Sequence, residues 1–141
     1  MPCGATAAAC NDEIFSDTVS ESNYLLPNTR GFKLASLNIT SLVNHIDELR
    51  VFIAGNRVDV LAINETGLDS NIIDSEVHIP GYEIIRRDRY INGRHGGGVC
   101  FFVHSTISFL LRPDLSCQEK ENLCIEIRKP NSKPFSHYNM V

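Results

Sequence analysis

From Phe32 onward the chain divides into short blocks whose apolar spacing changes from one to the next. In FKLASLN (32–38), Phe32, Leu34 and Ser36 alternate with Lys33, Ala35 and Leu37, which predicts a mostly buried strand. Leu42, Ile46, Leu49 and Ile53 then recur at steps of four, three and four, one apolar face of an α-helix. Thr40 and Ser41 stand where such a helix is capped, Asn44 and Asp47 fall in its early turns, and Gly55-Asn56 stops it. VDVLAIN (58–64) is β-branched and aliphatic throughout, as expected of a strand covered on both faces. Strand, helix and strand in roughly thirty residues form a βαβ unit, and such a unit makes its two strands parallel. Asn38 and Glu65, 27 positions apart, therefore reach the same C-terminal sheet edge.

After that unit the texture becomes antiparallel. GYEIIRRD (81–88), GVCFFVHS (98–105), ISFLLRP (107–113) and NLCIEIRK (122–129) are short strands separated by turn signals. The link RYINGRHGGG ends in Gly96, Gly97 and Gly98, a run that lets the backbone turn, bulge or lie close against another segment. Residues 1–31 are small, polar and acidic, without periodicity, and read as a disordered arm. Periodicity also ends after Pro130, so the organised domain is placed at 32–135 and an unstructured tail at 136–141.

At 141 residues, 43% hydrophobic and 21% charged, the chain has room for one ordinary domain with a real core. Its net charge of −4 belongs to one end: residues 1–29 hold four of the 17 acidic residues and none of the 13 basic ones. The remainder is neutral, so the acidic balance does not exclude an anionic partner. Cys3, Cys10, Cys100, Cys117 and Cys124 are odd in number and contain no Cys-x-x-Cys pair, which speaks against zinc or a disulfide framework. No stretch is long and apolar enough to span a membrane, and the opening MPCGATAAAC lacks a signal peptide's basic start and apolar core. The expected setting is intracellular, nucleus or cytoplasm, and the sequons at Asn38 and Asn64 are read as chance matches.

Glu65 closes an otherwise buried strand, and Asn38 arrives at the same edge. An amide and a carboxylate together suit a hard cation such as Mg²⁺, although Asn38 could instead hold the carboxylate or a phosphate oxygen by hydrogen bonds. Asp69 is read as a turn residue. Arg86, Arg87, Arg89, Arg94 and His95 make the densest positive stretch. Two readings stand: guanidinium contact with phosphate, or a solvated hairpin partly balanced by Asp88 and Glu83. Alternation places Arg86 and Asp88 on one face, Arg87 and Arg89 on the other. No histidine shows a serine or aspartate partner for a triad.

Taken together, "LNITSL", "IDELR", "VDVLAINETGLDS", "SEVHIPGYEIIRRDR" and "GRHGGGVCFFV" resemble, in order and spacing, the endonuclease/exonuclease/phosphatase superfamily. More narrowly they resemble the apurinic-endonuclease-like domain of LINE-type (non-LTR) retrotransposons, over roughly residues 31–135. The resemblance implies the N-terminal portion of a four-layer α/β sandwich, with a mixed sheet starting from the βαβ unit. It implies a Mg²⁺- (or Mn²⁺-) assisted phosphodiesterase acting on DNA, with Glu65 binding the metal and Asn38 contacting metal or phosphate. Arg87, Arg89, Arg94 and His95 become candidate nucleic-acid contacts, and the protein, if stable, is expected to be a monomer. Two departures qualify this. Gly67 stands where the family's E-T-W-L motif has an aromatic, and the Asp-x-Asn and Ser-Asp-His motifs that the family carries after the region of "KPNSKPF" are not found there. The expectation is a catalytically incomplete fragment with unpaired strand edges. The alternatives are a non-catalytic nucleic-acid- or partner-binding remnant, or a phosphatase of the same superfamily.

Overall fold

The computed structural model describes residues 30–89, 96–117, 121–128 and 133, together with the backbone of 135–140. The proposed N-terminal arm lies almost wholly outside the described residues, as do Arg94 and His95. Strand β1 (Leu34–Asn38) leads into helix α1 (Leu42–Gly55) and strand β2 (Val60–Asn64). A loop with a short 3-10 turn at Asp74–Val77 then reaches β3 (Tyr82–Arg87), β4 (Val99–His104), β5 (Ser108–Leu111), β6 (Asn122–Arg128) and β7 (Phe135–Met140). The first sheet has the order β1-β2-β4-β3, and the second has β5-β6-β7. The β1–β2 pair is parallel, with Asn38 opposite Asn64, and every other pair is antiparallel.

Each strand of the first sheet divides its side chains between two cores, as its pleat requires. Leu37, Leu61, Ile63, Cys100 and Phe102 face α1, whose Leu42, Ile46, Leu49 and Ile53 are all buried against them. The spacing of four, three and four is thus the buried face of the helix. Val60, Ala62, Val99, Phe101 and Val103 face the other way and meet Leu123, Ile125 and Ile127 of β6. The described residues therefore form three layers: helix, mixed sheet, antiparallel sheet. Cys100 and Cys124 are buried in this packing and form no disulfide, and burial pushes the Cys100 thiol above its ordinary range. No helix among the described residues is long and apolar enough to cross a membrane.

Two local readings need correction. The α1 cap residue Ser41 makes no side-chain capping bond. Instead the Leu42 N–H donates to the Thr66 carbonyl at 2.8 Å, so the loop after β2 serves as the cap. Organised structure also continues past 135: β7 occupies Phe135–Met140, where an unstructured tail was expected, and pairs with β6. A strand of mixed polarity has no clear period of its own, and hydrogen bonds to β6 define it.

Phe101 is fully buried between the two sheets. Phe101→Ala is expected to lower stability by about 3–5 kcal/mol, through lost transfer energy and a residual cavity. Val51→Ala, on the helix's outer face with 74% of its surface exposed, should stay within about 0.5 kcal/mol of the parent. Urea unfolding measures both.

Candidate functional site

The parallel pairing carries Asn38 and Asn64 to the same edge as register partners, on the face shared with Val60 and Ala62. The backbone leaving each of these strands is unusual. Among the described residues, three that are not glycine have positive φ: Thr40 (53°), Ser41 (138°) and Glu65 (56°). All three belong to the two loops that leave this edge. Such conformations cost about 1–3 kcal/mol each and persist where the surroundings over-determine them. Here the surroundings are hydrogen bonds between the loops: Ile39 N–H to the Asn64 carbonyl at 3.2 Å, and Leu42 N–H to Thr66. The Thr40 hydroxyl donates to Glu65 Oε2 at 3.4 Å.

Glu65 is an inserted residue. In the β2–β4 ladder Asn64 pairs with Val99, so a regular continuation would set Glu65 opposite Gly98 and Thr66 opposite Gly97. The observed bonds run one residue later, Thr66 N–H to Gly98 O (3.2 Å) and Gly67 N–H to Gly97 O (2.8 Å). One extra residue on one side of a ladder is a β-bulge, a device that re-aims a side chain. The glycines make it possible. A Cβ on Gly98 would stand 2.6 Å from Thr66 Oγ1, and one on Gly97 would stand 2.4 Å from the Arg89 guanidinium carbon. Gly67, where the family motif has an aromatic, is itself at φ 66°.

The basic stretch is tied into the fold. Arg86 Nη1 and Nη2 donate to the Ile72 and Asp69 carbonyls, and the guanidinium also holds Asp74 and Asp88. The Asp88 carboxylate, aided by Asp74, raises the Arg86 pKa against the opposing effect of burial. Asp69 is indeed a turn residue, its Oδ1 accepting the Asn71 N–H at 2.8 Å. On the opposite face Arg87 Nη1 donates to the Cys117 and Asn122 carbonyls, and Arg89 pairs with Glu121. The alternation read from the sequence is the one observed, but these partners are protein groups of the loop and of the second sheet.

Among the described residues no group of three or more His, Cys, Asp and Glu side chains could hold a metal. The donors that do collect at the edge are a carboxylate (Glu65), a hydroxyl (Thr40) and two amides (Asn38, Asn64). That all-oxygen set fits a hard cation that keeps part of its water shell, and does not fit zinc. Asn64 adds a feature that its sequence position alone did not single out: its Oδ1 is buried and accepts no hydrogen bond from the described residues. A buried acceptor without a donor is costly, and a cation or a bound ligand's donor would satisfy it. The only signal in the sequence was its place beside Glu65.

No protein-family model matches the chain, and no curated protein sequence matches it. Among solved structures, the fold is similar to that of the AP endonuclease LMAP from Leishmania major, with a TM-score of 0.60 and 18% identity. The match covers 78% of this chain and 40% of that one, so this chain spans about two fifths of the endonuclease's length. The architecture is thus an AP-endonuclease-like mixed α/β fold, starting with the parallel β1–β2 pair.

Gly98→Ala is expected to cost about 1–3 kcal/mol, because the new methyl must displace Thr66 and the bulge with it. Gly96→Ala should cost less: its φ of 100° is equally unfavourable, but a Cβ there meets nothing within 4 Å. Equal losses for the two variants in chemical denaturation would mean that the contact with Thr66 carries no weight.

Proposed function

We propose that this chain carries the metal- and phosphate-binding side of a Mg²⁺-dependent phosphodiesterase of the endonuclease/exonuclease/phosphatase kind, with DNA as substrate. The order of its motifs supports a retrotransposon-type endonuclease within that class. One observation carries the reading: Glu65 is bulged out of β2 in a left-handed conformation, beside Thr40 and the Asn38–Asn64 amide pair. Strain gathered on a carboxylate at the C-terminal edge of a parallel strand pair is where an α/β fold presents chemistry. The likeness to a structure named as an AP endonuclease supports the same choice of reaction class.

In this reading Glu65 and Asn38 hold Mg²⁺, with Thr40 orienting the carboxylate through its hydroxyl. The bound cation would polarise the scissile phosphoryl oxygen and offset charge on the leaving oxyanion. The amide of Asn64 would hold a phosphate oxygen or water by hydrogen bonds. Arg94 and His95 are assigned to the DNA backbone, whereas Arg87 is committed to the Cys117 and Asn122 carbonyls and Arg89 to Glu121. No general base is assigned among the described residues, so turnover is expected to be slow.

Mn²⁺ bound to the whole chain, followed by electron paramagnetic resonance, tests the assignment. Glu65→Gln should weaken binding about tenfold or more, equivalent to about 1.4 kcal/mol. Any Mg²⁺-dependent nicking of supercoiled plasmid should disappear in the same variant. Mn²⁺ affinity unchanged by Glu65→Gln would remove the basis of the proposal.

A further inference from the structure

The Gly97–Gly98 segment that supports the bulge is gripped from both sides. On one side its carbonyls accept from Gly67 and Thr66. On the other the Gly98 N–H donates to Glu121 Oε2 at 3.1 Å, while Glu121 Oε1 receives Arg89 Nε. Arg89 in turn packs its guanidinium on the bare Cα of Gly97, in space that a Cβ would fill. The three parts come from different places: Arg89 follows β3, Gly98 precedes β4, and Glu121 precedes β6 in the second sheet. Glu121 is only 15% exposed and Arg89 32%, so the pair is partly shielded from solvent.

We infer that the Arg89–Glu121 pair is a positioning device for Glu65, which it reaches through Gly97–Gly98 and Thr66–Gly67; this rests on the reading of Glu65 as a metal ligand. A carboxylate suits the task because its two oxygens serve two donors at once, one a guanidinium and one a backbone N–H. With both bonds made, the glycine backbone has one position, and the bonds to Thr66 and Gly67 fix where the inserted residue projects. Groups that hold a ligand without touching the metal commonly alter affinity by 10–100-fold when changed.

Glu121→Gln tests this, since a carboxamide offers one oxygen where two are used and must give up one contact. Mn²⁺ affinity is expected to fall about tenfold while the protein still melts cooperatively. Glu126→Gln is the control, removing an acidic partner of Arg112 and Arg128 elsewhere on β6; it should leave Mn²⁺ affinity at the parent value. Arg89→Lys keeps the charge but not the planar contact on Gly97, and should weaken Mn²⁺ binding as well; if Glu121→Gln does not fold, this variant decides. Parent-like affinity in Glu121→Gln, with affinity lost in Glu65→Gln, overturns the positioning role and leaves the Glu65 reading intact. Equal losses in Glu121→Gln and Glu126→Gln also overturn it, as a general effect of weakening the sheet. Parent-like affinity in Glu65→Gln removes the metal reading itself, and the inference with it.

Discussion

Val60, Leu61, Ala62 and Ile63 have no exposed surface on either side of the sheet, and that constraint organises everything around them. A strand buried on both faces needs two covers. Helix α1 supplies one by turning Leu42, Ile46, Leu49 and Ile53 onto Leu61 and Ile63. The second sheet supplies the other by setting Leu123, Ile125 and Ile127 against Val60 and Ala62. With both sides closed, the strand can present polar groups only at its end. Asn64 and Glu65 therefore stand where this buried strand reaches the edge of the sheet.

The covers are held in place by arginines that the sequence suggested were surface contacts. Arg86 projects to the helix side and gathers the 69–74 loop by its carbonyls and by Asp74. Arg87, one residue later, projects to the opposite side and joins β3 to the Cys117–Asn122 turn of the second sheet. A guanidinium has five N–H donors in a fixed fork, so it can satisfy several carbonyls that would otherwise be left unpaired at a layer boundary.

How much was legible in the sequence depends on how local each signal is. The α1 face, the continuous aliphatic run of β2, the parallel start and the alternation through Arg86–Arg89 depend on neighbours within a few residues, and all appear in the structure. Strand β7 did not register because hydrogen bonding to β6 outweighs its mixed composition. The cap of α1 was misread because Ser41 and Thr40 have the right chemistry, while the bond that forms comes from Thr66, a distant segment. The bulge is a register offset between segments about thirty residues apart, which only the pairing of β2 with β4 reveals. Glu65 and Asn38 could be put at one edge from the sequence; Asn64, Thr40 and Glu121 needed the third dimension.

The strain at Glu65 can be weighed against its alternative. Had β2 continued its pleat, residue 65 would have followed Leu61 and Ile63 toward the helix side, where Ile39, Leu42 and Leu68 are buried. An ionised carboxylate in such a place, with no cation beside it, carries an effective penalty of several kcal/mol. A left-handed residue costs about 1–3 kcal/mol, so the bulge is the smaller penalty even before any ligand binds. Strand burial and an acidic residue at its end are thus in conflict, and insertion of one residue resolves it. A polar neutral residue at 65 would face a much weaker conflict, with no charge to desolvate and little reason to keep left-handed backbone. Three further features would then lose their purpose: the glycines at 97 and 98, the glycine at 67, and the carboxylate of Glu121 that holds the Gly98 N–H. Their joint presence is what a requirement for charge at position 65 would leave in a structure.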